Sequence, residues 1–172
     1  MSDQLTFLFN IEYCTGCMAC VVACQDQNDL KADSVNFRTV ESFEKGPFPA
    51  RVGCFSIACM HCGDAPCLMA CPTGALSRHE ENGVVDINRD LCIGCKSCAL
   101  ACPFGAPKFT RDGKMAKCDL CYVRVAHGLQ PACVHTCTTG ALQYGSLEEL
   151  SKIKSRDAAM RILKASGLSE NE

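Results

Sequence analysis

Cys92-Ile93-Gly94-Cys95-Lys96-Ser97-Cys98-Ala99-Leu100-Ala101-Cys102-Pro103 places four cysteines at C-x2-C-x2-C-x3-C spacing with a proline directly behind. The rest of the chain repeats that theme. Cys14, Cys17, Cys20 and Cys24 have the same spacing, and Cys59, Cys62, Cys67 and Cys71 widen the middle gap to four residues before ending again in Cys-Pro at Pro72. Cys118, Cys121, Cys133 and Cys137 widen it to eleven. Sixteen of the 17 cysteines fall into these four groups, and Cys54 alone is left over.

Three cysteines within seven residues, with a fourth at a fixed offset, match the ligand run of bacterial [4Fe–4S] ferredoxins. A cubane needs four thiolates converging on its corners. Three closely spaced cysteines can wrap one cluster, while in two-cluster ferredoxins the fourth cysteine ligates the other cluster. The groups are therefore expected to work in pairs, with a short helix following the last cysteine of each. Chain order suggests nesting, the second group with the third and the first with the fourth. Four crossed ligand sets result: Cys14, Cys17, Cys20 with Cys137; Cys118, Cys121, Cys133 with Cys24; Cys59, Cys62, Cys67 with Cys102; and Cys92, Cys95, Cys98 with Cys71. Sequential pairing, first with second and third with fourth, is the alternative.

Zinc is the chemical competitor, because Cys118-x2-Cys121 alone would suit a four-cysteine zinc site in an interaction module. The doubled seven-residue run favours iron. No C-x-x-C-H haem signature occurs. His61 and His135 stand between cysteines that already complete all-thiolate sets, so they are expected to be supporting or core residues. His79 and His127 belong to no motif. Cys54, in an apolar segment, is expected to be a small buried apolar residue. Lys96, inside Cys95 to Cys98, is either a solvated side chain or a cation that raises its cluster's potential by stabilising the reduced form.

With 172 residues, 13 glycines, 7 prolines and no tryptophan, a conventional apolar core is expected to be thin. So high a cysteine content would suggest disulfides in a secreted chain. The opening residues argue against that, since Leu5 to Phe9 is too short for a signal h-region and Glu12 breaks the apolar pattern soon after it. No apolar run approaches the roughly 20 residues that cross a bilayer. No direct membrane span is expected, and the expected location is cytoplasmic unless the chain is exported bound to a twin-arginine-bearing partner. The formal charge of −2 omits metal and thiolates. Four cubanes with sixteen thiolates would add roughly −8, which backbone N–H groups in glycine-rich loops can offset. Scattered Lys and Arg with no basic stripe exclude nucleic acid as an expected partner. No GxGxxG, Walker loop or nucleophile constellation is present, so no catalytic residue is expected.

Leu5 to Asn10 and Ala141 to Gly145 read as strands that meet in space. Leu76 to Ser77 and Val84 to Ile87 flank the turn signal Asn82-Gly83; Pro107 to Thr110 and Lys114 to Ala116 flank Asp112-Gly113. Val35 to Ile57, with Gly46-Pro47 and Pro49, reads as an inserted loop carrying a strand from Arg51 to Ile57. Ser146-Leu147-Glu148-Glu149 is a capping box that opens a terminal helix, for which Gly167 is a plausible C′ residue. Leu147, Leu150, Met160 and Leu163 are expected to pack on the cluster-bearing part.

Together with the long Cys121 to Cys133 gap, several stretches resemble the iron–sulfur electron-transfer subunits of the dimethyl sulfoxide reductase family. They are Cys14-Thr15-Gly16-Cys17, Val35-Asn36-Phe37-Arg38, Cys59-Met60-His61-Cys62 with Pro66-Cys67, Ala101-Cys102-Pro103-Phe104-Gly105-Ala106-Pro107, and Lys117-Cys118-Asp119-Leu120-Cys121. The resemblance runs nearly end to end. It implies four [4Fe–4S] clusters in a row beside a molybdenum or tungsten pterin catalytic subunit of formate dehydrogenase, sulfur-compound reductase or aldehyde oxidoreductase type. The second redox partner would be a flavoprotein, a hydrogenase-type subunit or a membrane quinone-reactive subunit. It further implies that the Cys14 cluster, under Thr15 and Gly16, faces the pterin subunit, and that the Cys92 cluster, under Ile93, Gly94 and Lys96, faces the other partner. Two departures stand out. Thr138 replaces the family's proline after the last cysteine, and Cys95 is present where nitrate reductase relatives have Trp, so no [3Fe–4S] centre is expected. A free polyferredoxin shuttle is the competing reading within electron transfer.

The expected fold is α+β: two interlocked bacterial-ferredoxin-like modules with an inserted loop, hairpins and a C-terminal helix. Residues 1–34 plus 115–145 would form one module, 58–114 the second, 35–57 the insertion, and 146–172 the helical tail.

Overall fold

The computed structural model describes residues 4–31, 35–47 and 51–166, apart from the side chain of Arg51. Pro49 and Gly167 lie outside them. Among the described residues the chain forms four separate two-stranded antiparallel sheets linked by short helices, an α+β arrangement.

The two ends of the cysteine-bearing region meet as expected. β1 (Leu5–Phe9) pairs with β8 (Leu142–Ser146), Phe7 opposite Tyr144. Asn82-Gly83 lies in the loop between β4 (Leu76–Arg78) and β5 (Val85–Ile87). That loop is wider than a two-residue turn, because His79 and Val84 still pair across it before Gly83 turns the chain at φ +69°. Asp112-Gly113 closes β6 (Lys108–Phe109) onto β7 (Met115–Ala116). There the Asp112 carboxylate accepts from Thr110 Oγ1 and from the Lys114 N–H, fixing a three-residue loop with Gly113 in the left-handed region.

The insertion is more regular than a loop. β3 (Arg51–Ile57) forms as expected, and it pairs along its whole length with β2 (Thr39–Lys45), a strand that the sequence did not announce.

The helices sit one step earlier than expected. They do not follow the fourth cysteine of a group but carry the third: α1 (Ala19–Gln27), α2 (Pro66–Met69), α3 (Ser97–Ala101) and α5 (Ala132–His135). The C-x3-C spacing is that of one helical turn, and in α1 that turn carries both Cys20 and Cys24; in the other three the fourth cysteine lies just beyond the helix end. In α1 the helix continues past Cys24 through Gln25. In α3 it stops before Cys102, because Pro103 disfavours helical backbone at the residue ahead of it. Thr138 opens no helix; it lies in a turn after Cys137, so the missing proline has no helix start to loosen.

Two buried apolar groups hold these pieces. One joins Phe7, Val84, Leu120, Val134 and Leu142 with Cys59, Cys118 and Cys133. The other joins Leu76, Val85 and Met115 with Cys98. Cysteines are thus a substantial part of the core. α4 (Tyr122–Ala126) fills the long gap of the fourth group. α6 (Leu147–Ala165) begins at the expected capping box, where Ser146 accepts from Glu149 N and Glu149 accepts from Ser146 N. Only Leu150 on it is buried; Leu147, Met160 and Leu163 are exposed, so the expected packing is reduced to the first turn. Farther along, Arg161 donates to Glu12 at 2.9 Å and tethers the helix to the 3-10 turn at Ile11–Tyr13.

Candidate metal centre

The loops that carry the closely spaced cysteines are built on left-handed residues. Gly16 and Met18 in the first group have φ of +69° and +63°, and Gly94 and Lys96 at the same places in the third group have +69° and +66°. Each pair folds the chain back so that three thiols face one space. In the second and fourth groups His61 and Leu120 take that role at +45° and +62°, and both are fully buried.

The thiols open onto cavities. Cys71, Cys92, Cys95 and Cys98 line one, with Leu76, Phe109 and Met115 among its walls. Cys59, Cys62, Cys67 and Cys102 line another, walled also by His61 and Lys117. Cys14, Cys17, Cys20 and Cys137 line a third. The remaining four, Cys24, Cys118, Cys121 and Cys133, are all buried, and α1 packs on α5 to bring Cys24 to Cys133. Cys54 is buried too, but it belongs to none of the three cavity walls; its Sγ packs against Gly16.

These four sets neighbour one another in a fixed order. Cys133 feels the charge of Cys20, Cys118 that of Cys59, and Cys98 that of Cys67. The order is therefore Cys14 set, Cys118 set, Cys59 set, Cys92 set.

Burial raises the enclosed thiols along this row, Cys98 of an end set among them, while hydrogen bonds lower a few at the ends. Burial pushes Cys24 up to about 12, with Cys133 adding to the rise, and burial likewise raises Cys118, Cys121 and Cys133. At the ends, burial of Cys71 opposes ionisation but is outweighed by hydrogen bonds from the Thr73 side chain and from the backbone of Leu76, Thr73 and Ala75. Cys137 repeats this balance with Leu142, Thr139 and Ala141. Cys95 is lowered by Ser97 through its hydroxyl and its N–H.

The donor set suits an iron–sulfur cubane. In three of the four sets the thiols ring open spaces. Backbone N–H groups of Met115 and Leu120 donate to Cys92 and Cys118 sulfurs at 3.4 Å, the hydrogen bonding that tunes such clusters. His61 Nδ1 accepts from Val85 N at 3.1 Å, so its proton sits on Nε2, which has no partner in the protein. A buried N–H at the wall of a four-cysteine cavity would be available as a donor to a cluster held there. His135 is exposed rather than supporting, and His79 stacks edge-on against Tyr122 at 4.8 Å. Lys96 reaches over the Phe109 ring at 5.8 Å beside the Cys92 cavity. A second repeat lies behind the cysteine spacing and is visible in the sequence: Thr73-Gly74-Ala75-Leu76 recurs as Thr139-Gly140-Ala141-Leu142, and it supplies the donors for Cys71 and Cys137 alike.

Residues 50–147 match the family model of the 4Fe-4S dicluster domain, and residues 11–27 that of a 4Fe-4S binding domain. The chain is 41% identical over 160 residues to the probable anaerobic dimethyl sulfoxide reductase chain YnfG of Escherichia coli (strain K12), covering 87% of this chain and 77% of the relative. It is 40% identical over 162 residues to a subunit of the anaerobic dimethyl sulfoxide reductase of the same strain, covering 88% and 78%. Against the iron-sulfur subunit of that strain's nitrate-inducible formate dehydrogenase it is 35% identical over 181 residues, covering 95% and 61%. Among the described residues no helix is long and apolar enough to cross a membrane. With its cysteine spacing, its folded loops and these relatives in agreement, the chain belongs to the iron–sulfur electron-transfer subunits of the dimethyl sulfoxide reductase family, carrying [4Fe–4S] clusters within an oxidoreductase complex without being its catalytic subunit.

Proposed function

We propose that the chain binds four [4Fe–4S] clusters and relays single electrons between a molybdenum or tungsten pterin catalytic subunit and a second redox partner. The observation that carries this reading is the row of four-cysteine sets, three of them lining cavities, with neighbouring thiols close enough to sense one another. One cluster would be held by Cys14, Cys17, Cys20 and Cys137, the next by Cys118, Cys121, Cys133 and Cys24. The third would be held by Cys59, Cys62, Cys67 and Cys102, and the last by Cys92, Cys95, Cys98 and Cys71. Each transfer oxidises one cluster by one electron and reduces its neighbour by one. The bound clusters would supply the redox chemistry; the protein spaces them, encloses the set of Cys24, Cys118, Cys121 and Cys133, and leaves the outer two near the surface, where Cys17 and Cys95 are exposed.

In this reading the fold is two interlocked ferredoxin-like modules, residues 1–34 with 115–145 and residues 58–114, each returning the fourth cysteine of one group to its partner's cluster. Residues 35–57 form the insertion and 146–172 the helical tail. The relatives' names support a catalytic partner that acts on dimethyl sulfoxide or formate. The Thr15-Gly16 surface would face that partner. The exposed Ile93 and the Lys96 loop would face the second partner, a flavoprotein, a hydrogenase-type or a membrane quinone-reactive subunit.

Metal analysis tests the count. About sixteen iron and sixteen acid-labile sulfide per chain are expected, four for each cubane; zinc near four with iron near zero overturns the reading. Cys24→Ser tests the crossing: it should alter the EPR signal of the cluster at Cys118 and leave that at Cys14 intact.

A further inference from the structure

Among the described residues two cations are buried without a carboxylate partner. Arg38 is 2% exposed and Lys117 is 5% exposed. Other cations behave differently: Arg89 pairs with Asp112, Lys152 with Glu148 and Arg161 with Glu12, all partly or wholly in solvent. Among the described residues neither Arg38 nor Lys117 forms an ion pair. A buried charge is costly unless something opposite offsets it.

Arg38 ends the Val35-Asn36-Phe37-Arg38 segment, which Asn36 ties to α1 by accepting from Gln25 at 2.7 Å. Its Nη1 donates to Ser56 Oγ at 3.0 Å, its guanidinium lies 4.9 Å from the centre of the Phe7 ring, and Nε and Nη2 have no hydrogen-bond partner. Phe7, against which it lies, belongs to the same buried group as Cys118 and Cys133, and Cys24 is within its electrostatic reach. The Ser56 hydroxyl that holds it also sits 3.5 Å from the Cys20 sulfur of the neighbouring set. Lys117 donates through Nζ to the carbonyls of Val85 and Cys118, groups that satisfy its protons without cancelling its charge. It walls the cavity of Cys59, Cys62, Cys67 and Cys102. Each of the two inner sets thus has its own enclosed positive charge.

We propose that Arg38 and Lys117 are the fixed counter-charges of the two inner clusters, Arg38 for that at Cys24, Cys118, Cys121 and Cys133 and Lys117 for that at Cys59, Cys62, Cys67 and Cys102, and that they raise the potentials of those clusters. This rests on the ligand sets of the proposed function. Taking one electron from a neighbouring cluster adds one negative charge, so a fixed cation stabilises the reduced form more than the oxidised form, and enclosure from water strengthens the effect. Both residues are positioning residues: they act on the potential and exchange no electron.

The test is an EPR-monitored redox titration of the full chain in its complex, comparing wild type with Arg38→Gln, Lys117→Gln and Arg38→Lys, with iron and sulfide measured on each. In fully loaded Gln variants, one cluster in each should fall to a tenth or less of its wild-type reduced-to-oxidised ratio at fixed potential, a shift of at least about 59 mV for one electron. Arg38→Lys should restore the wild-type value. Unshifted potentials in fully loaded Gln variants overturn the inference and leave the ligand sets standing. If the Gln variants lose iron, Arg38→Lys decides: full loading supports a counter-charge, and loss there too overturns it, since a charge role survives exchange of one cation for another. A wild-type chain lacking the cluster at Cys118 overturns both readings.

Discussion

The second and fourth cysteine groups fold alike and are filled differently. From Cys67 to Leu76 and from Cys133 to Leu142 the backbone repeats bond for bond: Cys71 N donates to Leu68 O as Cys137 N does to Val134 O, and Gly74 N to Cys71 O as Gly140 N does to Cys137 O. The first and third groups match likewise, Val21 bonding back to Met18 as Ala99 does to Lys96. On this common frame the side chains diverge. His61 stands where the fourth group has Leu120, and Lys117 where the second has Ala58. Backbone geometry is set by what a cubane needs from its thiols; the residues behind the thiols are free to differ. That freedom is where potentials along a row of clusters can be graded.

The largest effect tests how far the proposed clusters themselves make the frame. Cys59, Cys118, Cys133 and Cys98 are core residues. Removing iron should therefore abolish cooperative thermal unfolding in both halves, as metal loss does in other small domains whose fold depends on it. Retention of a sharp transition by calorimetry would show that the apolar groups suffice. Next comes the His61 and Leu120 pair. Leu120→Ala should cost roughly 2–5 kcal/mol, the range for truncating a buried leucine. His61→Leu should cost about 1–3 kcal/mol by leaving Val85 N–H unpaired, and it should lower the potential of the Cys59 cluster while Leu120→Ala leaves its own cluster's potential nearly unchanged. Equal shifts in both would dissolve the distinction.

What the sequence makes legible is what depends on local spacing. Asn82-Gly83 and Asp112-Gly113 announce two hairpins, the Ser146 capping box announces α6, and the two terminal segments read as strands that pair. β2 is not legible, because Thr39–Lys45 is largely exposed and its pattern is set only by pairing with β3. Helix placement is misread when the fourth cysteine is treated as a helix start, because C-x3-C already spells one turn. Arg38 stands out in the sequence through the family resemblance alone: nothing local distinguishes a buried arginine from a surface one when most of the thiols around it lie eighty or more residues away in sequence. The exposure of His135 and of the outer α6 leucines is hidden for a related reason, since which face is buried depends on what packs there.

Helix length offers a direct way to interchange the halves. Gln25 lets α1 run through Cys24, whereas Pro103 ends α3. Gln25→Pro should cost about 3 kcal/mol, from a lost intrahelical bond and a clash with the preceding turn. Pro103→Gln, in a segment already outside the helix, should change stability by only about 0.5 kcal/mol. Denaturant midpoints of the loaded proteins measure both, and equal costs would mean that the proline does not set the difference between the two helices.

The smallest contrast lies at the paired glycines. Both have φ of +69°, so a methyl group at either should cost about 1–2 kcal/mol from backbone strain alone. Their surroundings separate them. A Cβ on Gly94 would stand 2.5 Å from the Gly113 carbonyl oxygen, a backbone atom of the hairpin that cannot step aside; on Gly16 it would meet the Cys54 sulfur at 2.6 Å, a side chain that can be shortened. Gly94→Ala should therefore be the more damaging change. Cys54→Ala should recover about 1 kcal/mol of the Gly16→Ala loss, a coupling measurable by a double-mutant cycle, and recover nothing at Gly94. Because Cys54 lies outside the four ligand sets, Cys54→Ala alone should keep the full iron content. Iron loss in that single variant would make Cys54 a ligand, and strict additivity in the cycle would mean that the Gly16 loop clears the sulfur by moving as a whole.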